Sequence, residues 1–254
     1  MSGSPVAHSV EAMPAEHLAQ LDVIDQTYWW HLVRWRAVRR MLLHTLRRRV
    51  FPCYVDVGSG GGGLPGLLTR DFAFDEMWLI DQHAAPGSKI AHPRVTQMTA
   101  DLESFEANGL PAPDLITCLD VLEHLRDPVP LLRELKQRAA GRGGAIVVTV
   151  PALQGLWSWW DERAGHHRRY TRQALQDVLT RSGWEVLSCR YFFHAAVIPL
   201  WLRKSRAGGD DGYLEFPRLP DWLNGWLERM FWWEYVATDR LGAPFGSSLI
   251  ALAR

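Results

Sequence analysis

Three short stretches of the chain gather side chains that could do chemistry. The first is DVGSGGGG, Asp56 to Gly63. Glycines at the end of an apolar strand let the backbone approach a ligand closely, and a helix beginning there would offer N–H groups to a carboxylate or phosphate. Asp56 stands two residues before Gly58, where a dinucleotide fold ordinarily keeps an apolar residue, and an acid there could receive an ammonium group. Asp81 ends WLID about twenty-three residues after Gly58, the spacing of a carboxylate that holds a ribose diol. Asp101, after VTQMTA, could accept from the amino group of an adenine. Together these favour a ligand joining an amino acid to a nucleoside, S-adenosylmethionine over NAD, although Asp81 alone fits both.

The second stretch, DVLEH from Asp120 to His124, follows the apolar DLITCL. Cys118 and Leu119 end that strand at the carboxyl edge, where open α/β sheets bind ligands. His124 is either a proton acceptor or a histidine packed against the next element, and Glu123 reads as helix surface. The third stretch is GHHRRY, Gly165 to Tyr170. No metal is expected here, because adjacent histidines point in different directions and no cysteine or third histidine lies nearby in sequence. Two arginines without a wider basic stripe also make a poor phosphate track. What remains is a loop on the acceptor side of a reaction, in which His166 or His167 takes a substrate proton while Arg168 or Arg169 pairs with an acid on the substrate or with Asp161. In the competing version Arg169 and Tyr170 only tie the loop to the sheet.

These groups need a sheet to position them. CYVDVGSG, MWLIDQ, VTQMTADL, DLITCLDV and GAIVVTVP are strand-like runs separated by room for a helix or long loop, the pattern of crossover units on a parallel sheet. WEVLSCRYFF reads as a sixth strand and SSLIALAR as a seventh. Asp127 and Pro128 open the helix after the fourth strand, and Gly141 and Gly143 end it. The helix after GHHRRY is opened by Thr171 and closed near Gly183. Residues 1–20 read as a disordered lead, and residues 21–50 as an N-terminal helical cap with Trp35, Val38, Leu42 and Leu46 on one side. Residues 51–193 form the core, residues 194–245 a helical, tryptophan-rich insertion, and residues 246–254 the last strand. Within the insertion a helix capped by Asp221 carries Trp222, Trp226, Met230 and Trp233 at helical spacing, a stripe suited to core packing, a dimer interface or peripheral membrane contact.

Composition narrows the partners. Lys plus Arg and Asp plus Glu balance at 28 each, so nothing draws the chain toward a polyanion such as nucleic acid. The three cysteines lie far apart, which disfavours a disulfide framework or a structural zinc and fits a reducing cytoplasm. The N-terminus lacks the basic start and apolar run of a signal peptide. The longest apolar run, YFFHAAVIPLWL, falls short of the ~20 residues that span a bilayer.

VDVGSGGG, LID, AD at Ala100 and Asp101, and DVLEHLRDP from Asp120 to Pro128 follow the order found in class I S-adenosylmethionine-dependent methyltransferases, and the chain resembles that family over about residues 21–254. It is similar more narrowly to a bacterial small-molecule subgroup, through YWWHLVRWR before the first motif, GHxRRYT after the fifth strand and PFGSSLIALAR at the end. The family's acidic residue before the tryptophan pair has no counterpart at Gln26 to Tyr28, with Asp25 standing nearby. The resemblance implies an α/β, Rossmann-like, seven-stranded, mostly parallel sheet with an antiparallel last strand, an N-terminal helical cap and a helical insertion between strands 6 and 7.

It also implies S-adenosylmethionine as cofactor, bound by Asp56, Gly58, Ser59, Gly60, Gly62, Asp81, Gln82, Asp101, Leu102, Leu119 and Asp120, and direct displacement of its methyl group by an acceptor atom. The candidate catalytic residues are then His166, His124, Arg169 and Tyr170, with Trp29, Trp30, Asp161 and His167 on the substrate side and no metal. The acceptor is a small molecule, hydrophobic or lipid-linked ones included, and oxygen is the expected acceptor atom because a histidine base suits a hydroxyl. An NAD-dependent oxidoreductase and a non-catalytic cofactor-binding scaffold are the competing readings, the former disfavoured by Asp56 and the antiparallel last strand.

Overall fold

A computed structural model describes residues 27–82, 90, 92–204 and 219–254. The expected disordered lead lies outside the described residues. Seven strands, β1 (Val50–Val57), β2 (Ala73–Asp81), β3 (Val95–Thr99), β4 (Leu115–Leu119), β5 (Ala145–Pro151), β6 (Val186–Phe192) and β7 (Ser248–Ala253), build one sheet in the order β3-β2-β1-β4-β5-β7-β6. Neighbours among β1 to β5 pair in parallel, and β7 runs antiparallel between β5 and β6. This is the Rossmann-like α/β sheet with an antiparallel last strand that the sequence implies.

The helices are α1 (Trp29–Thr45), α2 (Gly63–Leu68), α3 (Val129–Ala139), α4 (Trp159–Arg163), α5 (Arg172–Arg181), α6 (Val197–Lys204) and α7 (Asp221–Leu241). Central strands are buried on both faces, which is why they read as continuous apolar runs. Alternation still sorts their side chains. Val55, Val57, Ile146 and Val148 point into a core closed by Leu131 and Leu135 of α3 and Leu175 and Leu179 of α5. Tyr54, Leu115 and Val147 point into a second core closed by Val33, Val38 and Leu42 of α1. The result is three layers, with α1 covering one face of the strands that carry the glycine loop.

Local signals act largely as expected at helix starts. Thr171 accepts from the Ala174 amide at 3.1 Å, and Asp127 accepts from the Val129 amide at 3.1 Å. Asp221 does not cap α7; it is the first helical residue, and the Pro220 carbonyl accepts from Leu223 and Asn224 at 2.9 and 3.0 Å.

The tryptophan stripe of α7 also faces the other way from a core stripe. Phe231 and Tyr235 are buried, while Trp222, Trp226 and Trp233 are exposed. The reason is that α7 docks on α1 through its opposite face, flanked by ion pairs from Arg36 to Glu228 and from Arg40 to Asp239. No described helix is long and apolar enough to cross a membrane.

Candidate active site

β1 runs into a loop with Gly58, Gly60 and Gly62 at φ of +73°, +48° and +76°. A Cβ on Gly58 would collide with the Val121 side chain, so only glycine lets this loop lie against the segment after β4. Four amides of the loop are engaged within the protein. Gly58 and Ser59 donate to the Ile80 carbonyl at 2.7 and 3.1 Å, Gly62 donates to Ser59 at 2.9 Å, and Gly60 donates to Asp81 Oδ2 at 2.9 Å. The loop is therefore a cradle for close backbone approach, braced by Asp81 at the end of β2. Beyond β3, Asp101 accepts from the Glu103 amide and the Ser104 hydroxyl, both at 3.0 Å, and so holds the turn that buries Leu102.

Asp56 points from β1 toward the α1 side and is 4% exposed. The Thr117 hydroxyl donates to it at 2.5 Å, and Tyr54 joins the chain through Thr117 at 2.6 Å. Burial pushes Asp56 up to about 7, against the pull of Thr117, and the charge of Asp81 adds to the rise. The Arg34 charge works against that rise.

Arg34 reaches down from α1 to pair with Asp120 and makes a second contact with His31 Nδ1 at 2.7 Å, while its buried Nε has no partner among the described residues. Burial first, and then the Arg34 charge, hold His31 down to about 3, so a neutral ring receives the guanidinium. Asp120, at φ +53°, also accepts from Thr149 Oγ1 at 2.7 Å. Burial would raise it, but Arg34 and Thr149 hold it below the usual carboxylate range.

This donor set fits an amino acid joined to a nucleoside: a buried carboxylate for an ammonium, an arginine beside it for a carboxylate, and an acid at the end of β2 for a diol. Sequence reasoning missed Arg34. The available signal was that it lies four and eight residues before Val38 and Leu42, inside an apolar stripe rather than opposite it.

A pH effect follows from Asp56. Its carboxyl holds a proton more tightly folded than unfolded, so its contribution to stability is full below the ordinary carboxylate range near ~4 and is lost as pH rises through 7. Asp56→Asn removes that titration. Thermal melts without cofactor should show the variant gaining on the parent between pH 5 and 8, and a gap that stays constant with pH would refute the assignment.

The GHHRRY loop is stitched to the segment after β4. Tyr170 donates to the Leu122 carbonyl at 3.1 Å, the His167 amide to Glu123 at 2.7 Å, and Arg168 Nη2 to Leu125 and Arg126 at 3.0 and 2.6 Å. Behind the loop, Asp161 of α4 is fully buried. It accepts from Arg169 Nε at 2.8 Å and Nη2 at 3.0 Å, from the Ser158 amide at 2.9 Å, and sits 2.9 Å from His166 Nδ1. Burial works to raise Asp161, but His166 and Arg169 outweigh it and hold the carboxyl below its usual range. Arg169, Tyr170 and Asp161 thus form a clamp, and burial pushes the Tyr170 hydroxyl up, away from proton transfer.

His166 is the imidazole that this clamp presents. Its ring stands edge-on to His124, with centroids 4.7 Å apart. His124 donates from one nitrogen to the Ala164 carbonyl, and desolvation followed by the His166 charge holds it down to about 4. Glu123, read from sequence as helix surface, is buried with one carboxylate oxygen lacking a partner. The helix begins only at Val129, so Glu123 lies in a turn with its side chain directed inward.

Trp29 and Trp30, expected on the substrate side, pack from the cap against aromatic rings of the core and the insertion. Trp29 stacks on Phe231 at 4.6 Å and Trp30 on Phe193 at 4.2 Å. Cys118 at the end of β4 is buried, and burial raises its thiol well above the usual value, so it offers no thiolate.

Comparison with known proteins puts this geometry in a family. A family model described as a methyltransferase domain matches residues 29–189. A ubiquinone biosynthesis O-methyltransferase from Escherichia coli O9:H4 is 23% identical over 190 residues, which is 69% of this chain and 76% of that protein. A chain from the complex between the Haloferax volcanii Trm112 methyltransferase activator and a methyltransferase superposes with a TM-score of 0.60 at 13% identity, covering 95% of this chain and 98% of that one. The Burkholderia thailandensis 1,6-didemethyltoxoflavin-N1-methyltransferase, solved with that substrate and S-adenosylhomocysteine, gives 0.52 at 14% identity, covering 97% and 92%.

Proposed function

The chain belongs to the methyltransferase domain family, and from that premise we infer that it transfers the methyl group of S-adenosylmethionine to a hydroxyl oxygen of a small acceptor. The bound cofactor supplies a methyl group made electrophilic by its positively charged sulfur. Asp56 receives the ammonium, Arg34 the carboxylate and Asp81 the ribose diol. The glycine loop lets the ligand lie against backbone at Gly58 and Gly60. On the other side of Asp120, the acceptor hydroxyl is activated at the His124, His166 and Glu123 cluster. Holding two reactants in line can contribute ~7 kcal/mol or more to the rate, and the clamp of Asp161, Arg169 and Tyr170 keeps the acceptor side rigid enough to do so.

The observation that carries this reading is Asp56, a buried carboxylate beside a glycine cradle and lacking a full counter-charge. Oxygen is favoured as the acceptor atom because an imidazole backed by Asp161 suits a hydroxyl, and the O-methyl transfer in the name of the Escherichia coli relative points the same way. Titration calorimetry with S-adenosylhomocysteine and with NAD tests the cofactor: binding of the first alone is expected, and NAD binding without the first would overturn the reading. Asp81→Ala should weaken S-adenosylhomocysteine by about 1.5–3 kcal/mol, the scale of hydrogen bonds to a charged group. An unaltered dissociation constant would remove Asp81 from the site.

A further inference from the structure

We propose that Glu123, His124 and His166 form a binding site for one divalent first-row transition ion, zinc foremost, on the acceptor side of the cofactor. One ligand-type atom from each lies within 4.8 Å of the others. Ligand atoms at ~2.0–2.1 Å from a zinc ion stand about 3.3 Å apart, so closure takes a contraction of at most about 1.5 Å in the widest pair. The far nitrogens of both histidines are already held, so the Glu123 carboxylate, one oxygen of which has no hydrogen-bond partner among the described residues, supplies that movement.

Three independent features favour an ion over mere packing. The histidines are oriented as metal ligands usually are, each with its other ring nitrogen held by a carboxylate or a backbone carbonyl. His166 Nδ1 is held by Asp161 at 2.9 Å, and His124 is held by the Ala164 carbonyl. Those bonds fix the tautomers and leave the lone pairs on the opposite nitrogens. Glu123 supplies the second feature: it is 1% exposed, one of its oxygens has no partner among the described residues, and the nearby Asp120 adds negative charge. Buried carboxylates are ordinarily paired or bound to metals. The third feature is rigidity, since the His167 amide and the Tyr170 hydroxyl lock the two ligand-bearing segments together at 2.7 and 3.1 Å.

The donor set decides the kind of ion. Two imidazoles and one carboxylate suit zinc, iron or cobalt, whereas magnesium prefers an all-oxygen shell. Three protein ligands leave positions open for water or a substrate oxygen. A hydroxyl bound there would give up its proton to solvent near neutral pH, as zinc-bound water does. This inference rests on the proposed function for its purpose, since it names what activates the acceptor oxygen, but the binding of an ion can be measured without any methyl transfer.

Chelator-stripped full-length protein titrated with zinc chloride in a calorimeter should bind one ion per chain, and cobalt should give visible absorption bands. Magnesium should give no heat. Glu123→Gln and His124→Ala should each weaken zinc binding roughly 100-fold. Glu123→Gln removes a buried unpaired carboxylate, so the ion-free variant should melt no lower than the parent, which separates a lost ligand from a lost fold. Absence of zinc binding, or equal affinity in the parent and both variants, would overturn the site. S-adenosylhomocysteine is titrated on the same samples. Its binding without zinc refutes the ion site and leaves the methyltransferase reading standing; zinc binding without it does the reverse.

Discussion

His166→Ala is expected to lower turnover by about 100-fold or more while leaving the affinity for S-adenosylhomocysteine within about twofold of the parent, the low end of what a positioned proton-transfer or activating group contributes. The split arises from geometry. His166 acts on Asp120 through its charge, whereas Asp56 lies on β1, Asp81 ends β2, and Arg34 reaches Asp120 from α1. Removing the imidazole leaves Asp161 still bound by Arg169 and Ser158, so the clamp stays closed. The measurement is release of S-adenosylhomocysteine with whichever member of a panel of phenols and hydrophobic alcohols gives the highest parental rate. Turnover equal to the parent would reduce His166 to a loop-packing residue. A matching loss of cofactor affinity would mean that the two halves of the site are coupled through Asp120.

Some parts of this site can be read locally and others only through the fold, and the difference is physical. Asp56 and Asp81 stand at fixed offsets from glycines and from strand ends, so short-range sequence places them. The sheet is legible for the same reason, since strands buried on both faces leave continuous apolar runs. Arg34 is hidden because a helix carrying many arginines suggests solvated charge, and only its register with Val38 and Leu42 marks it as inward. Glu123 is hidden because helical periodicity does not extend to a turn; hydrogen bonds from a loop more than forty residues away hold that turn. The absence of nearby ligands around GHHRRY is likewise a statement about sequence distance. His124 and His166 meet because β4 and β5 are neighbours and their following loops share one edge. The tryptophan stripe of α7 shows the opposite error, since periodicity defines a face without saying which side of the helix is covered.

Asp161→Ala should be the most destabilising single change in the site, costing about 3–5 kcal/mol, the range for removing one partner of a buried ion pair. Asp161 is fully buried, and Arg169, at 9% side-chain exposure, would lose both of its short bonds to it. His166 would lose the bond that fixes its ring, and α4 would lose its capping box with Ser158. For a chain of this size the melting temperature should fall by roughly 10 °C.

The pH dependence has a definite sign. Asp161 is held below the usual carboxylate range, so its stabilising contribution is present above ~4 and disappears as pH falls through its lower folded value. The difference between parent and variant should therefore be full at pH 7 and narrow in acid. Arg169→Met in the Asp161→Ala background is the informative companion, because it removes the orphaned guanidinium. If the buried pair acts as a unit, the double variant should melt above the single Asp161→Ala protein. Simple addition of the two losses would instead mean that Arg169 stabilises the loop through the Ala152 carbonyl, 3.4 Å from its Nη1, independently of Asp161.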